Sequence, residues 1–106
     1  MHLPEKVKIG GIEYKVSEVE PDHNELDSDS WGCIEHEKSE IFISKAINIQ
    51  KKEEVLVHEI LHGIVDYVEL DGEINDEYIA KISKTLYQVL KDNDLNINIS
   101  GTFSNN

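Results

Sequence analysis

The hydrophobic patterning predicts an α+β chain, with short strands in the first half and two helices in the second. Three observations carry this expectation. Apolar residues alternate with polar ones in the early segments and recur at helical spacing beyond about residue 50. A polar stretch with no apolar period, Glu20 to Ser30 (EPDHNELDSDS), interrupts the strand-like half as a loop. The 106 residues amount to one domain, residues 1–106, able to bury one modest core.

The sheet is expected over residues 7–44, as three to four short strands in an antiparallel or mixed arrangement. Val7 to Ile9 and Ile12 to Val19 flank the turn-forming pair Gly10-Gly11, and Ile12, Tyr14 and Val16 alternate as in a half-buried strand, so a hairpin is predicted. Trp31 to Glu35 and Glu40 to Ser44 (EIFIS) are rich in β-favouring residues, with the polar His36 to Ser39 between them as a turn. Trp31 and Phe42 are expected as core anchors, and Cys33 as a small buried hydrophobe.

A first helix is predicted over residues 51–70, because Val57, Ile60, Leu61, Ile64 and Val68 fall at helical spacing and Asp71-Gly72 supplies a stop. A second is predicted over residues 75–92, with Asn75 as N-cap and Ile79, Ile82, Leu86, Val89 and Leu90 as its buried stripe. The tail, residues 94–106, is polar and expected to be loose, with Leu95, Ile97 and Ile99 available for a short edge strand.

The formal charge of -12, from 10 basic and 22 acidic residues, repels phosphate backbones and anionic lipid, so neither nucleic acid nor membrane is an expected partner. Cys33 is the sole cysteine, which excludes an internal disulfide and a thiolate metal cluster and suits a reducing cytoplasm. Met1 to Gly10 carry Pro4, Glu5, Lys6 and Lys8 where a signal peptide needs an apolar run, so a cytoplasmic location is expected.

The chemistry lies in Val57-His58-Glu59-Ile60-Leu61-His62, an HExxH sequence inside the first predicted helix. Histidines four apart stand one turn apart, ~6 Å along the axis, so both rings reach one ion while Glu59 lies beside them. With 5 histidines and 14 glutamates in the chain, the motif arises by chance with a probability of roughly 3%, before a helix is demanded of it. On a helical wheel the apolar arc centres on Val57, Leu61, Ile64 and Val68, with both histidines off its edge.

Catalytic zinc takes three protein ligands and keeps one position open. Asp66 and Glu69 lie on the same helix, about 12 Å or more from His58 along the axis, too far to share its ion. The acidic start of the second helix is the better source, and Asp76 and Glu77 are both candidates: Asp76 borders the buried stripe, whereas Glu77 has the longer reach. The first-turn position also suits either acid as a complement to the helix dipole.

HExxH followed by an acidic residue on the next helix resembles the gluzincin metallopeptidases. The order of a short sheet, a strand like EIFIS, VHEILHGI, an acidic linker and a helix like YIAKISKTLYQVLKDN is similar to minigluzincins and to short phage-type relatives of the ImmA/IrrE metallopeptidases, over roughly residues 7–93. The resemblance implies a zincin-like fold, a Zn2+ ion held by His58, His62 and either Asp76 or Glu77, and Glu59 as general base. It also implies a protein or peptide substrate lying along Glu40 to Ser44 as an edge strand. Where the family has glutamate as third ligand, this chain offers Asp76 in one register and Glu77 in the other. Tyr67, Tyr78, His36 and His23 are the residues available to stabilise an oxyanion.

The expected function is therefore a zinc metalloendopeptidase. The alternative is a non-catalytic acidic zinc-binding interaction protein, a phage-type inhibitor or regulator, to which the small size and the charge both lend weight.

Overall fold

In the computed structural model, which describes residues 3–27 and 29–95, the chain forms β1 (Lys6–Ile9), β2 (Ile12–Val19), β3 (Gly32–Glu35), β4 (Glu40–Ser44), α1 (Ile49–Tyr67) and α2 (Asp76–Asp92). The α+β architecture is as predicted, and the sheet is mixed, in the order β1-β2-β4-β3. The β1–β2 hairpin turns at Gly10-Gly11, where Ile9 faces Ile12 and both glycines have positive φ, 59° and 86°. A two-residue turn of this kind needs positive φ at both central positions, which only glycine and a few small polar residues supply cheaply.

β4 pairs in parallel with β2 and antiparallel with β3. The strand expected at an edge is thus interior, and the outer edge on that side belongs to β3. Burial agrees: Ile41 and Ile43 are 0% exposed, as an interior strand under a helix requires. Val7, Ile9, Tyr14, Val16, Ile41 and Ile43 join Val55 and Leu56 of α1 in one core, with Ile34, Ile47, Ile49 and Ile60 packed against it. Phe42 points to the opposite face, where His23 stacks on it at 5.4 Å. The loop is therefore tied to the sheet through His23, and its Leu26 is also buried.

Asn48 caps α1, its Oδ1 accepting from Lys51 N at 2.9 Å, and Asn75 caps α2 as predicted, accepting from Tyr78 N at 3.0 Å. α1 begins at Ile49 and ends at Tyr67, short of the expected residue 70. The stop is not Asp71-Gly72 but a left-handed residue, Glu69 (φ 63°), with Glu69 N donating to Asp66 O and Leu70 N to Val65 O.

The buried faces of both helices are rotated from the expected ones. On α1 the buried residues are Glu53, Val55, Leu56, Val57, Glu59, Gly63 and Val65, while Ile64 and Val68 are 41% and 50% exposed. α1 meets β1, β3 and β4 on one side and α2 on another, so its covered surface is set by two neighbours rather than by its largest aliphatic residues. Among the described residues α2 packs on α1 alone and contacts no strand. Only Ile79 and Ser83 are buried on it, which leaves Ile82, Leu86 and Val89 exposed.

Candidate metal centre

α1 carries His58, Glu59 and His62 on consecutive turns of a continuous helix. The two imidazoles converge, with Nε2 of His58 3.1 Å from Nε2 of His62 and ring centroids 4.8 Å apart. The turn between the helices brings Asp76, the first residue of α2, to the same place, its Oδ1 3.4 Å from His62 Nε2. Ligands at ~2.0–2.2 Å from a tetrahedral zinc stand roughly 3.3–3.5 Å from one another, close to both separations.

The third edge is not closed. Asp76 has a side chain 90% exposed, and among the described residues no three His, Cys, Asp or Glu side chains are gathered tightly enough to hold a metal as they stand. Glu77 lines the same cleft, but its carboxylate pairs with Lys81 at 3.3 Å. Both acids line the cleft beside the histidines at an exposed helix start, so both remain candidate donors.

The chemistry of the donors suits zinc. Burial, then the neighbouring His62, holds His58 below the ordinary imidazole pKa, and burial likewise lowers His62, so both rings are neutral and present lone pairs at pH 7. Glu59 is 7% exposed, and among the described residues nothing donates a hydrogen bond or an ion pair to its carboxylate. Burial, and secondarily the charge of Asp76, pushes Glu59 up to about 7. A buried carboxyl without a partner is costly unless something else in the site uses it.

Comparisons with protein-family models, curated proteins and solved structures find no match. The reading of the site therefore rests on its own geometry.

His58, Glu59 and Ala80 line a cleft that runs between β3 and α2, with α1 as its floor. One arm passes Ile34, His36, His62, Asp76 and Glu77; the other passes Trp31, Lys51, Glu54, Ser83 and Lys84. Gly32 lines both arms, and a Cβ there would meet Val55 Cγ1 at 2.5 Å and lie 3.3 Å from Glu59 Oε2.

Of the residues named for an oxyanion, only His36 lines this cleft, 3.6 Å from Asp66 through Nδ1. His23 stacks on Phe42, Tyr67 packs under Gly10, and Tyr78 is exposed outside the cleft. Trp31, expected in the core, is 47% exposed at the cleft wall, because it precedes edge strand β3 and no element among the described residues covers it. Cys33 is only partly buried, on that same edge strand.

Ser83 was not singled out from sequence. It lies 3.3 Å from Nδ1 of His58, on the side of the ring away from His62. Its spacing of seven residues from Asp76, two helical turns, puts it on the same face of α2 and was the available signal.

Proposed function

We propose that this chain is a zinc-dependent metallopeptidase of the HExxH kind acting on a protein or peptide. The observation that carries the reading is the meeting of His58, His62 and Asp76 at 3.1 and 3.4 Å beside the buried Glu59, which has no partner among the described residues, in a cleft open to an edge strand.

With zinc bound, the site would have a Lewis acid to polarise a peptide carbonyl and to bring the pKa of a water to ~7. His58 and His62 supply neutral Nε2 lone pairs, and Asp76 or Glu77 supplies the carboxylate that completes three protein ligands. Glu59, buried beside the two histidines, would take the proton of that water and return it to the leaving amine. The extended substrate pairs with the outer edge of β3 rather than with β4, whose two sides are occupied by β2 and β3. Trp31 and the cleft beyond Gly32 then receive its side chains.

Two observations favour the second reading, a non-catalytic acidic interaction protein: the net charge of -12 and the open third edge of the donor set. One experiment separates the two. Zinc per chain is measured for the parent and for Glu59→Gln, His62→Ala, Asp76→Ala and Glu77→Ala, and the same samples are assayed for peptide cleavage. The peptidase reading expects one zinc per chain, lost in His62→Ala and in one of the two acidic variants. It also expects cleavage abolished in Glu59→Gln with zinc retained. A parent that binds no zinc sinks the metal centre, and one that binds zinc but cleaves nothing leaves the interaction protein.

A further inference from the structure

Ser83 is 2% exposed and makes two contacts through one oxygen: Oγ donates to Ala80 O at 3.0 Å and lies 3.3 Å from His58 Nδ1. A hydroxyl has one proton and two acceptor lone pairs. The shorter bond, the local return of a helical serine to a preceding carbonyl, takes that proton. Ser83 therefore meets His58 as an acceptor, and His58 must carry its proton on Nδ1. Its Nε2 is then a bare lone pair. That lone pair faces His62 Nε2 at 3.1 Å, a contact that needs one proton, so in the metal-free protein the proton belongs to His62 Nε2, which also faces Asp76 Oδ1 at 3.4 Å.

We propose that Ser83 is a positioning residue that locks His58 in the Nδ1–H tautomer, with Nε2 ready for a metal, whereas His62 changes tautomer when the metal enters. In that change His62 gives its Nε2 proton to solvent and takes one at Nδ1, with no net proton uptake. The lock is a property of the metal-free protein, while the His62 change and its effect on affinity rest on the proposed metal centre. The two histidines of the motif are thus unequal: one is prepared by α2, the other is not. A ligating histidine is commonly fixed by a partner on its second nitrogen, and loss of such a partner lowers metal affinity by roughly 10–100-fold.

The test is a long-range proton–nitrogen correlation spectrum of the imidazoles at about pH 8, in chelator and then with zinc. The metal-free protein should give the Nδ1–H pattern for His58 and the Nε2–H pattern for His62, and zinc should move His62 alone to Nδ1–H. Ser83→Ala, with its amide spectrum confirming the fold, should give a tautomer mixture at His58 and roughly 10–100-fold weaker zinc binding. Ser83→Thr, which keeps the hydroxyl, should restore both. A metal-free parent with His58 as Nε2–H, or a folded Ser83→Ala with the parent's tautomer, overturns the lock. If the parent binds no zinc, the metal-centre reading fails, and the metal-free spectrum still decides the role of Ser83.

Discussion

Glu59 is 7% exposed beside the histidines with no partner among the described residues, so its charged form is the costly one in the metal-free protein. Its carboxyl is pushed from 4.5 to about 7. Between those values the folded chain holds a proton that the unfolded chain has released, so folding stability falls as pH rises across the window, by about 3 kcal/mol in all. His58 and His62 act in the opposite sense: their lowered values make stability rise with pH up to about 6.5, where the unfolded imidazoles lose their protons. Glu59→Gln removes the first dependence and leaves the second. In chelator, urea unfolding should find this variant close to the parent near pH 5 and more stable by about 3 kcal/mol near pH 8. The same stability difference at both pH values would remove the burial argument for Glu59. The motif itself was legible in sequence because its geometry is local, one turn of one helix. The choice between Asp76 and Glu77 was not, because it depends on how the chain runs from Val68 to Asn75 and on the pull of Lys81 on Glu77. The spacing of Ser83 from Asp76 puts both on one face of α2, but Ser83 matters only because α2 lies against α1 with that face inward.

At the scale of the elements, six segments were legible as strand or helix from their periods, and the misplacements concern ends and neighbours. Both helices close with the same hydrogen-bond pattern around a left-handed residue that is not glycine, Glu69 (φ 63°) after α1 and Asp94 (φ 57°) after α2. Sequence reasoning looks for glycine at such a place, and so it carried α1 on to Asp71-Gly72. A side chain in the left-handed region costs roughly 1 kcal/mol relative to glycine. Glu69→Gly should therefore raise stability by about 0.5–1 kcal/mol, seen as a higher urea midpoint with an unchanged slope. A lower midpoint would mean that the Glu69 side chain stabilises the fold by more than its left-handed backbone costs. Strand order was the other illegible feature. EIFIS reads as a strand wherever it lies, and only its parallel pairing with β2 makes it interior and hands the open edge to β3. That pairing joins residues far apart in sequence, which no local pattern encodes.

Among the described residues a four-stranded sheet lies under α1 and α2 rests on α1 alone, so one of the acids proposed to complete the metal centre rides on the least supported element. The exposed apolar residues of α2 follow from the same fact: a helix touching one neighbour buries a narrow line, here Ile79 and Ser83, whatever the width of its apolar stripe. Its far end is held by a polar clamp. Glu53 of α1 is 3% exposed and accepts from Tyr87 Oη at 2.8 Å and from Lys91 Nζ at 3.3 Å. Burial, and then the bond to Glu53, raises the Tyr87 phenol above its ordinary value, so it remains a donor throughout the neutral range. Tyr87→Phe leaves the buried carboxylate with Lys91 alone. Loss of one partner from a buried charged group costs about 1–3 kcal/mol. Because the clamp joins only the two helices, the cost should appear as local opening of α2: its amides should exchange faster with solvent while those of β4, buried between β2 and β3, keep their protection. Zinc affinity should fall with it, since opening of α2 carries Asp76, Glu77 and Ser83 away from the histidines together. Uniform acceleration across α2 and β4 would instead mean that the molecule opens as one unit, and that α2 is bound to the rest more firmly than its contacts with α1 imply.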